Sequence, residues 1–473
     1  MKKPTRIIDR DDEWAYLTRM WESTKPELYV VRGRRRVGKS FLLSHAVQET
    51  DGIYYQATKR TDREQLAAMS RVVGRYFDDP ALRSVGFGSW EDLFTYCIEQ
   101  AGNERLLIVL DEFPYLIDAA PSLPSILQSI WDHELPGTQI KLVLSGSHIT
   151  AMKRLTEAEQ PLYGRRTGLI QVDPLDYLHA SAFIPTYSPA DKIMAYGVFG
   201  GLPGHLSLLD ADMSLAENVV RQILDPTARL NEEAVHCLDA FLGDAEVHYS
   251  IIEAVANGEV QWQKISNRIG RKSAALSRPL DWLKEMEIIE QIAPISEYPN
   301  PRPKSMVYRL CDPYLHFWHR FVADVRAQGI PVIFEPEEVW QAFIEPGLNE
   351  YIGRYVFEEV CREFVRSSGH ERLPFRPIRV GSWWTADAQD EIDIVALGLK
   401  GEVFLGECKW GSVGRDDVEK LMARVDRIVP QLPTLRSVQL GLFSGGAIDT
   451  AVQPRIDSGQ ILLFTKSDLF PTY

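Results

Sequence analysis

Gly33-Arg34-Arg35-Arg36-Val37-Gly38-Lys39-Ser40 combines the residue types that can hold a polyphosphate. Gly33 and Gly38 permit a sharp turn and let backbone amides approach an anion that a Cβ would keep away. Lys39 carries a charge for the β- and γ-phosphates, and Ser40 offers a hydroxyl to Mg²⁺. The apolar run Leu28-Tyr29-Val30-Val31 before the loop and Phe41-Leu42-Leu43 after it read as strand, loop and helix. The helix N-terminus adds partial positive charge. This is P-loop spacing. It implies that Gly33 to Phe41 bind ATP or ADP with Mg²⁺.

Leu106 to Leu110 are five apolar residues ending in Asp111 and Glu112. Such a run suits a parallel strand buried on both faces, and its C-terminal end is where open α/β sheets bind ligands. Asp111 is then expected to hold the magnesium, through water, and Glu112 to polarise the attacking water. A second buried strand, Ile140 to Leu144, ends in Ser145-Gly146-Ser147. Ser145 or Ser147 is a sensor of the γ-phosphate, or else part of a plain serine turn. Arg165 and Arg166 follow in Pro161-Leu162-Tyr163-Gly164-Arg165-Arg166-Thr167. One of them is either an arginine finger for phosphoryl transfer or a surface ion pair.

A second set of chemical groups lies near the C-terminus. Glu391 to Leu397 and Glu402 to Trp410 flank the turn Gly398-Leu399-Lys400-Gly401, so they should pair as an antiparallel hairpin. Side chains alternate along a strand, which puts Glu407 and Lys409 on one face, Cys408 on the other, and Asp393 with Glu391. Asp393, Glu407 and Lys409 can thereby meet. Carboxylates for Mg²⁺ and a lysine to position or deprotonate water are what metal-dependent phosphodiester cleavage needs. The plain alternative is an exposed Glu407–Lys409 pair, worth little.

The elements between these groups differ in kind. Glu13 to Trp21 reads as a helix whose Trp14, Leu17 and Trp21 face the first sheet. Helices near 249–256, 262–269 and 273–286, followed by strands at 288–292 and 306–310 around a proline-rich loop, make a winged helix. Lys264, Arg268, Arg271, Lys272 and Arg278 crowd into Lys264 to Arg278 without an acid, a segment that runs from the second helix into the start of the expected recognition helix. They are expected to meet DNA phosphates and a groove. Protein docking is the other reading, and Pro279 within that helix is a potential kink.

The chain has 473 residues, 45% of them hydrophobic and 25% charged, which suggests about three domains. A formal charge of −14 excludes a wholesale polyanion binder, so any nucleic acid must meet a local basic patch. Cys97, Cys237, Cys311, Cys361 and Cys408 are scattered, odd in number and without CxxC spacing. With no apolar run of bilayer length and no signal peptide, they point to a reducing cytoplasm and no membrane.

GRRRVGKS, LLIVLDEF, LVLSGS, PLYGRRT and Gly200-Gly201-Leu202-Pro203-Gly204 together resemble the AAA-type ATPases called archaeal ATPases, kin to the STAND-like P-loop ATPases. The resemblance implies an ATPase core over 1–178, a helical lid over 179–240 carrying the Gly-Gly-x-Pro motif, and a winged helix over 241–330. It also favours Arg165 or Arg166 as the finger, and Tyr308 to Trp318 matches the family's link to the next module. Residues 331–473 resemble the PD-(D/E)xK nuclease core. In that core Glu358, on a helix, joins Asp393 and Glu407-Cys408-Lys409, so Glu358, Asp393 and Glu407 are implied metal ligands and Lys409 a catalytic residue. A helix with Val418, Leu421, Met422 and Val425 on one face and a strand from Val438 to Phe443 follow. Ile392 stands where the motif has proline.

The expected fold class is α/β: a P-loop AAA-type core with helical lid, a winged helix, and a C-terminal α/β restriction-endonuclease-like domain. The expected function is an ATP-binding and hydrolysing protein acting on DNA, its ATPase core regulating the winged helix and a Mg²⁺-dependent nuclease-like domain. The alternative is a STAND-like signalling ATPase whose C-terminal domain binds DNA or protein without cutting. A protein remodeller ranks last, for want of a pore-loop signature. A homo-oligomer or a protein partner is left open.

Overall fold

The computed structural model describes all residues except 236–245, 299, 301, 302, 304, 368–370, 386–388, 433, 434, 472 and 473. Cys237, the 240/241 boundary and parts of the proline-rich loop lie outside the described residues. The chain gathers into two compact units. One comprises Met1–Leu175 with Leu202–Gly204, and the other Asp176–Gly201 with His205–Tyr473.

In the first unit, strands β1 (Glu27–Arg32), β2 (Ile53–Gln56), β3 (Arg105–Asp111), β4 (Gln139–Gly146) and β5 (Gly168–Gln171) form one sheet in the order β2-β3-β4-β1-β5. Every neighbouring pair is parallel. The unbroken apolar stretch of β3 has its reason here. Leu106, Ile108 and Leu110 pack with Leu28, Val30, Leu142 and Leu144 on one face of the sheet. Leu107 and Val109 pack with Val31, Val143 and Ile170 on the other. Helix α1 (Asp11–Glu22) covers that second face with Trp14, Leu17 and Met20, as does α2 (Lys39–Thr50) with Leu42, Leu43 and Ala46. Helices Asp62–Tyr76, Trp90–Ala101 and Leu123–His133 cover the first.

The second unit holds a helical region and two sheets. Helices α3 (Glu246–Ala256), α4 (Trp262–Ile269) and α5 (Ser273–Glu285) precede an antiparallel pair, β6 (Ile289–Ile292) with β7 (Val307–Leu310). Helix α5 runs through Pro279 without interruption. The loop of this hairpin is not free: Ile295 is 6% exposed and belongs to a core with Trp383, Ile392 and Val403.

That core is one side of a mixed sheet. Helix α6 (Phe357–Ser367) precedes β8 (Pro377–Trp384), β9 (Glu391–Gly398) and β10 (Glu402–Lys409). Helix α7 (Arg415–Ile428), β11 (Ser437–Ser444) and β12 (Ile461–Thr465) follow. The order is β12-β11-β10-β9-β8, with β8, β9 and β10 antiparallel and β10, β11 and β12 parallel. Along β10 the side chains alternate. Phe404 meets Phe443 and Phe464, which are met in turn by Phe364 of α6, while Val403 and Leu405 join Val418 and Leu421 of α7. Among the described residues, no helix is long and apolar enough to cross a membrane.

Candidate functional site

The P-loop leaves β1 at Gly33, whose φ is +156°, and a Cβ there would lie 2.1 Å from the carbonyl oxygen of Val172. Only glycine fits that approach. At Gly38, φ is +97°, a conformation that other residues rarely adopt. Lys39 is 4% exposed and donates from Nζ to the carbonyls of Gly33 (2.8 Å) and Arg34 (2.9 Å). Burial lowers its pKa to about 8, with the Glu112 and Asp111 carboxylates opposing the shift. Val37 is buried, Arg34 and Arg36 are half-buried, and Arg35 and Phe41 are exposed. Pro203 and Gly204 lie over the loop: the Gly204 amide donates to the Arg36 carbonyl at 3.1 Å.

Because β3 lies beside β4 and β4 beside β1, the carboxylates at the end of β3 come to the loop. Asp111 is fully buried, and its Oδ2 accepts from Ser40 Oγ at 2.5 Å and from Tyr54 Oη at 2.6 Å. Burial, then the Asp111 charge, pushes the Tyr54 phenol well above its ordinary range. Glu112 has φ +52°, and its Oε2 accepts from the amide (3.2 Å) and hydroxyl (2.9 Å) of Ser147. Ser145 pairs in register with Val31, is fully buried, and its Oγ has no hydrogen-bond partner. The Gly33 cradle and this orphaned hydroxyl fit a bound nucleotide with its cation.

Arg165 grips Asp132 with two prongs, Nε at 2.9 Å and Nη2 at 2.6 Å, and also donates to the carbonyls of Pro161 and Tyr163. Arg166 donates to Thr156 Oγ1 at 3.3 Å. Lys264, Arg268, Arg271, Lys272 and Arg278 are all exposed, and Arg268 pairs with Glu253 at 3.3 Å.

In the C-terminal sheet, the β9–β10 register runs from Val403 with Leu397 to Gly406 with Ile394, and so leads Asp393 toward Glu407. Asp393 Oδ2 accepts from the Cys408 amide at 2.7 Å. Carboxylate oxygens of Glu358, Glu391 and Asp393 all lie within 4.8 Å of one another. Glu407, 3% exposed, is engaged beside them: Oε1 accepts from Lys409 Nζ and Oε2 from Arg424 Nη1, each at 2.8 Å. Burial raises Glu358 to about 7, against Arg362 and with help from Glu391 and Glu407. Burial and the Glu358 and Glu407 charges raise Asp393. Burial would lower Lys409, yet Glu407 holds it above its ordinary value. Crowded acidic oxygens of this kind are a donor set for a hard cation.

Sequence reasoning did not place Glu391 in a cation site, although strand alternation put it on the side of Asp393. It also missed Arg424 on α7 and Tyr54 on β2, whose contacts depend on the packing of distant segments.

Residues 7–209 match a family described as an ATPase domain predominantly from Archaea. This stretch is an ATPase domain of that family. Beyond the ATPase domain, residues 318–421 match a family of archaeal and bacterial proteins of unknown function. An uncharacterized protein of Methanocaldococcus jannaschii is 29% identical over 477 residues, 98% of this chain and 99% of that protein. A second from the same organism is 41% identical over 90 residues, 19% of this chain and 86% of that protein. Similar solved structures include a Walker-type ATPase of Pyrococcus abyssi, at 21% identity, 68% of this chain, 99% of that chain and TM-score 0.49. The ORC2 protein of Aeropyrum pernix is 14% identical over 70% of this chain and 97% of its own, with TM-score 0.46.

Proposed function

We propose that this protein is an ATP-driven enzyme acting on DNA, whose ATPase domain controls a winged helix and a Mg²⁺-dependent nuclease site. The observation that carries the second activity is the convergence of Glu358, Glu391 and Asp393 within 4.8 Å, beside the Glu407–Lys409 pair. The division into an ATPase core (1–178), lid (179–240), winged helix (241–330) and nuclease-like domain (331–473) belongs to this reading.

At the first site, Lys39 and the loop amides bind the phosphates, and Ser40 and Asp111 hold the cation. Glu112 orients the attacking water and takes its proton. Ser145 presents its unpartnered hydroxyl toward the phosphate end of the nucleotide. Arg165 or Arg166 supplies transition-state charge after leaving its present partner. At the second site Glu358, Glu391 and Asp393 hold magnesium, with Glu407 as a further carboxylate, and Lys409 positions the water. Magnesium supplies Lewis-acid charge at both sites when bound. Lys264, Arg268, Arg271, Lys272 and Arg278 bind DNA phosphates.

A second reading has support in the doubly paired state of Glu407. A carboxylate held by both Lys409 and Arg424 suits a folded but non-cutting module, in a signalling ATPase that binds DNA or protein. Plasmid and oligonucleotide cleavage, with and without ATP and Mg²⁺, decides between them. Cutting that is lost in Asp393→Ala and in Lys409→Ala supports the nuclease. No cutting in any nucleotide state supports the second reading, and equal cutting by the variants marks a contaminant.

A further inference from the structure

The β6–β7 hairpin is joined to the carboxylate cluster by an unbroken chain of charges. Arg309 of β7, paired in register with Glu290 of β6, gives Nε (2.9 Å) and Nη2 (2.7 Å) to Glu290 Oε1 and Nη1 to Glu359. Glu359, in the first turn of α6, also accepts from Arg362 Nε at 2.9 Å and from Arg366 Nη1 at 3.0 Å. Arg362 is 9% exposed and turns its Nη1 to the Asp393 carbonyl at 2.8 Å, 3.6 Å from Glu358 Oε2. Its guanidinium therefore touches two members of the cluster.

A guanidinium is a rigid plane, so fixing one edge aims the other. Glu359 fixes the Nε edge of Arg362, and Arg309 helps fix Glu359. The hairpin itself is seated, with Ile295 in the core of the mixed sheet and Trp384 Nε1 donating to the Ser305 carbonyl at 3.0 Å. Arg362 is also a positive charge beside a site for a cation, which opposes binding. Beyond helping to keep Glu358 ionised against its burial, what it contributes is geometric.

We propose that Arg309 is a positioning residue for the carboxylate cluster, acting through Glu359 and Arg362, so that the seated β6–β7 hairpin sets the spacing of Glu358 and Asp393. This rests on reading the cluster as a cation site. The sign of one effect tests it. Removing the positive charge of Arg309 would tighten cation binding if charge alone mattered, whereas loss of positioning weakens it.

The experiment is calorimetric titration of Mn²⁺ into the full-length protein without nucleotide, with Asp393→Asn as the baseline for the cluster. Arg309→Met should weaken Mn²⁺ by about tenfold, the size of other losses of outer-shell support. Arg309→Lys should recover part of the loss. Glu290→Gln, which loosens the same guanidinium from its far side, should weaken binding in the same direction and serves if Arg309→Met does not fold. Unchanged or tighter binding in a variant with wild-type melting overturns the proposal. Equal binding by the wild type and Asp393→Asn overturns the cation-site reading itself, and the proposal with it.

Discussion

Ser147 donates both its amide and its hydroxyl to the same oxygen of Glu112, at 3.2 and 2.9 Å. The contact holds a side chain whose backbone is in the left-handed region, immediately after the buried Asp111. In the proposed chemistry Glu112 must face a water, so the serine sets its direction. Glu112→Gln should lower ATP turnover by about 10²–10⁴-fold while ATP still binds. Ser147→Ala should lower kcat by less and leave KM nearly unchanged. Phosphate-release kinetics beside equilibrium ATP binding check both.

Lys39 makes the nucleotide affinity depend on pH. Its pKa is about 8 in the free protein because the ammonium is buried. Bound phosphates favour the charged form and raise that value. Below about 8 the lysine is already protonated, so affinity should be flat there. Above it the protein must take up a proton on binding, so ATP affinity should fall as pH rises, by up to about tenfold per unit. Titrations from pH 6 to 9.5 should show the break in the wild type and none in Lys39→Ala, which binds weakly throughout.

The exposed basic residues give a salt-dependent prediction. Lys264→Gln combined with Arg271→Gln should weaken DNA binding regardless of sequence. It should also flatten the plot of log K against log salt, by about 0.9 per lost phosphate contact. ATP turnover without DNA should not change. Fluorescence anisotropy across a salt series is the check.

Ile295 belongs to the hairpin loop in sequence and to the mixed-sheet core in space. Ile295→Ala should therefore destabilise the second unit by about 2–5 kcal/mol, as for other buried isoleucines. Denaturant unfolding followed by tryptophan fluorescence should show it, since Trp383 lies in the same core. An exposed wing-tip residue would change stability hardly at all.

The contrast between Ile295 and Leu107 shows what was legible in the chain. Leu107 sits in a run of five apolar residues, and a strand covered on both faces is the economical reading of such a run. The parallel sheet, the P-loop turn and the β9–β10 hairpin are local patterns of this sort. Ile295 lies in a loop of mixed character, and nothing nearby in sequence tells which core receives it. The same holds for Arg165, whose partner Asp132 stands on another element. Glu391 is an intermediate case: alternation puts it with Asp393, but its standing in the cluster depends on Glu358, which comes from α6 to lie within 4.8 Å of both.

In the proposed chemistry one polypeptide carries two independent cation sites, one for a triphosphate and one for a phosphodiester. Counting bound Mn²⁺ by electron paramagnetic resonance, with a non-hydrolysable ATP analogue present, distinguishes the two. Two ions per chain are predicted for the wild type. Asp393→Asn should keep only the nucleotide-dependent ion, and Ser40→Ala with Asp111→Asn only the nucleotide-independent one. A single ion in the wild type, or an unchanged count in Asp393→Asn, would mean that the carboxylate cluster holds no cation.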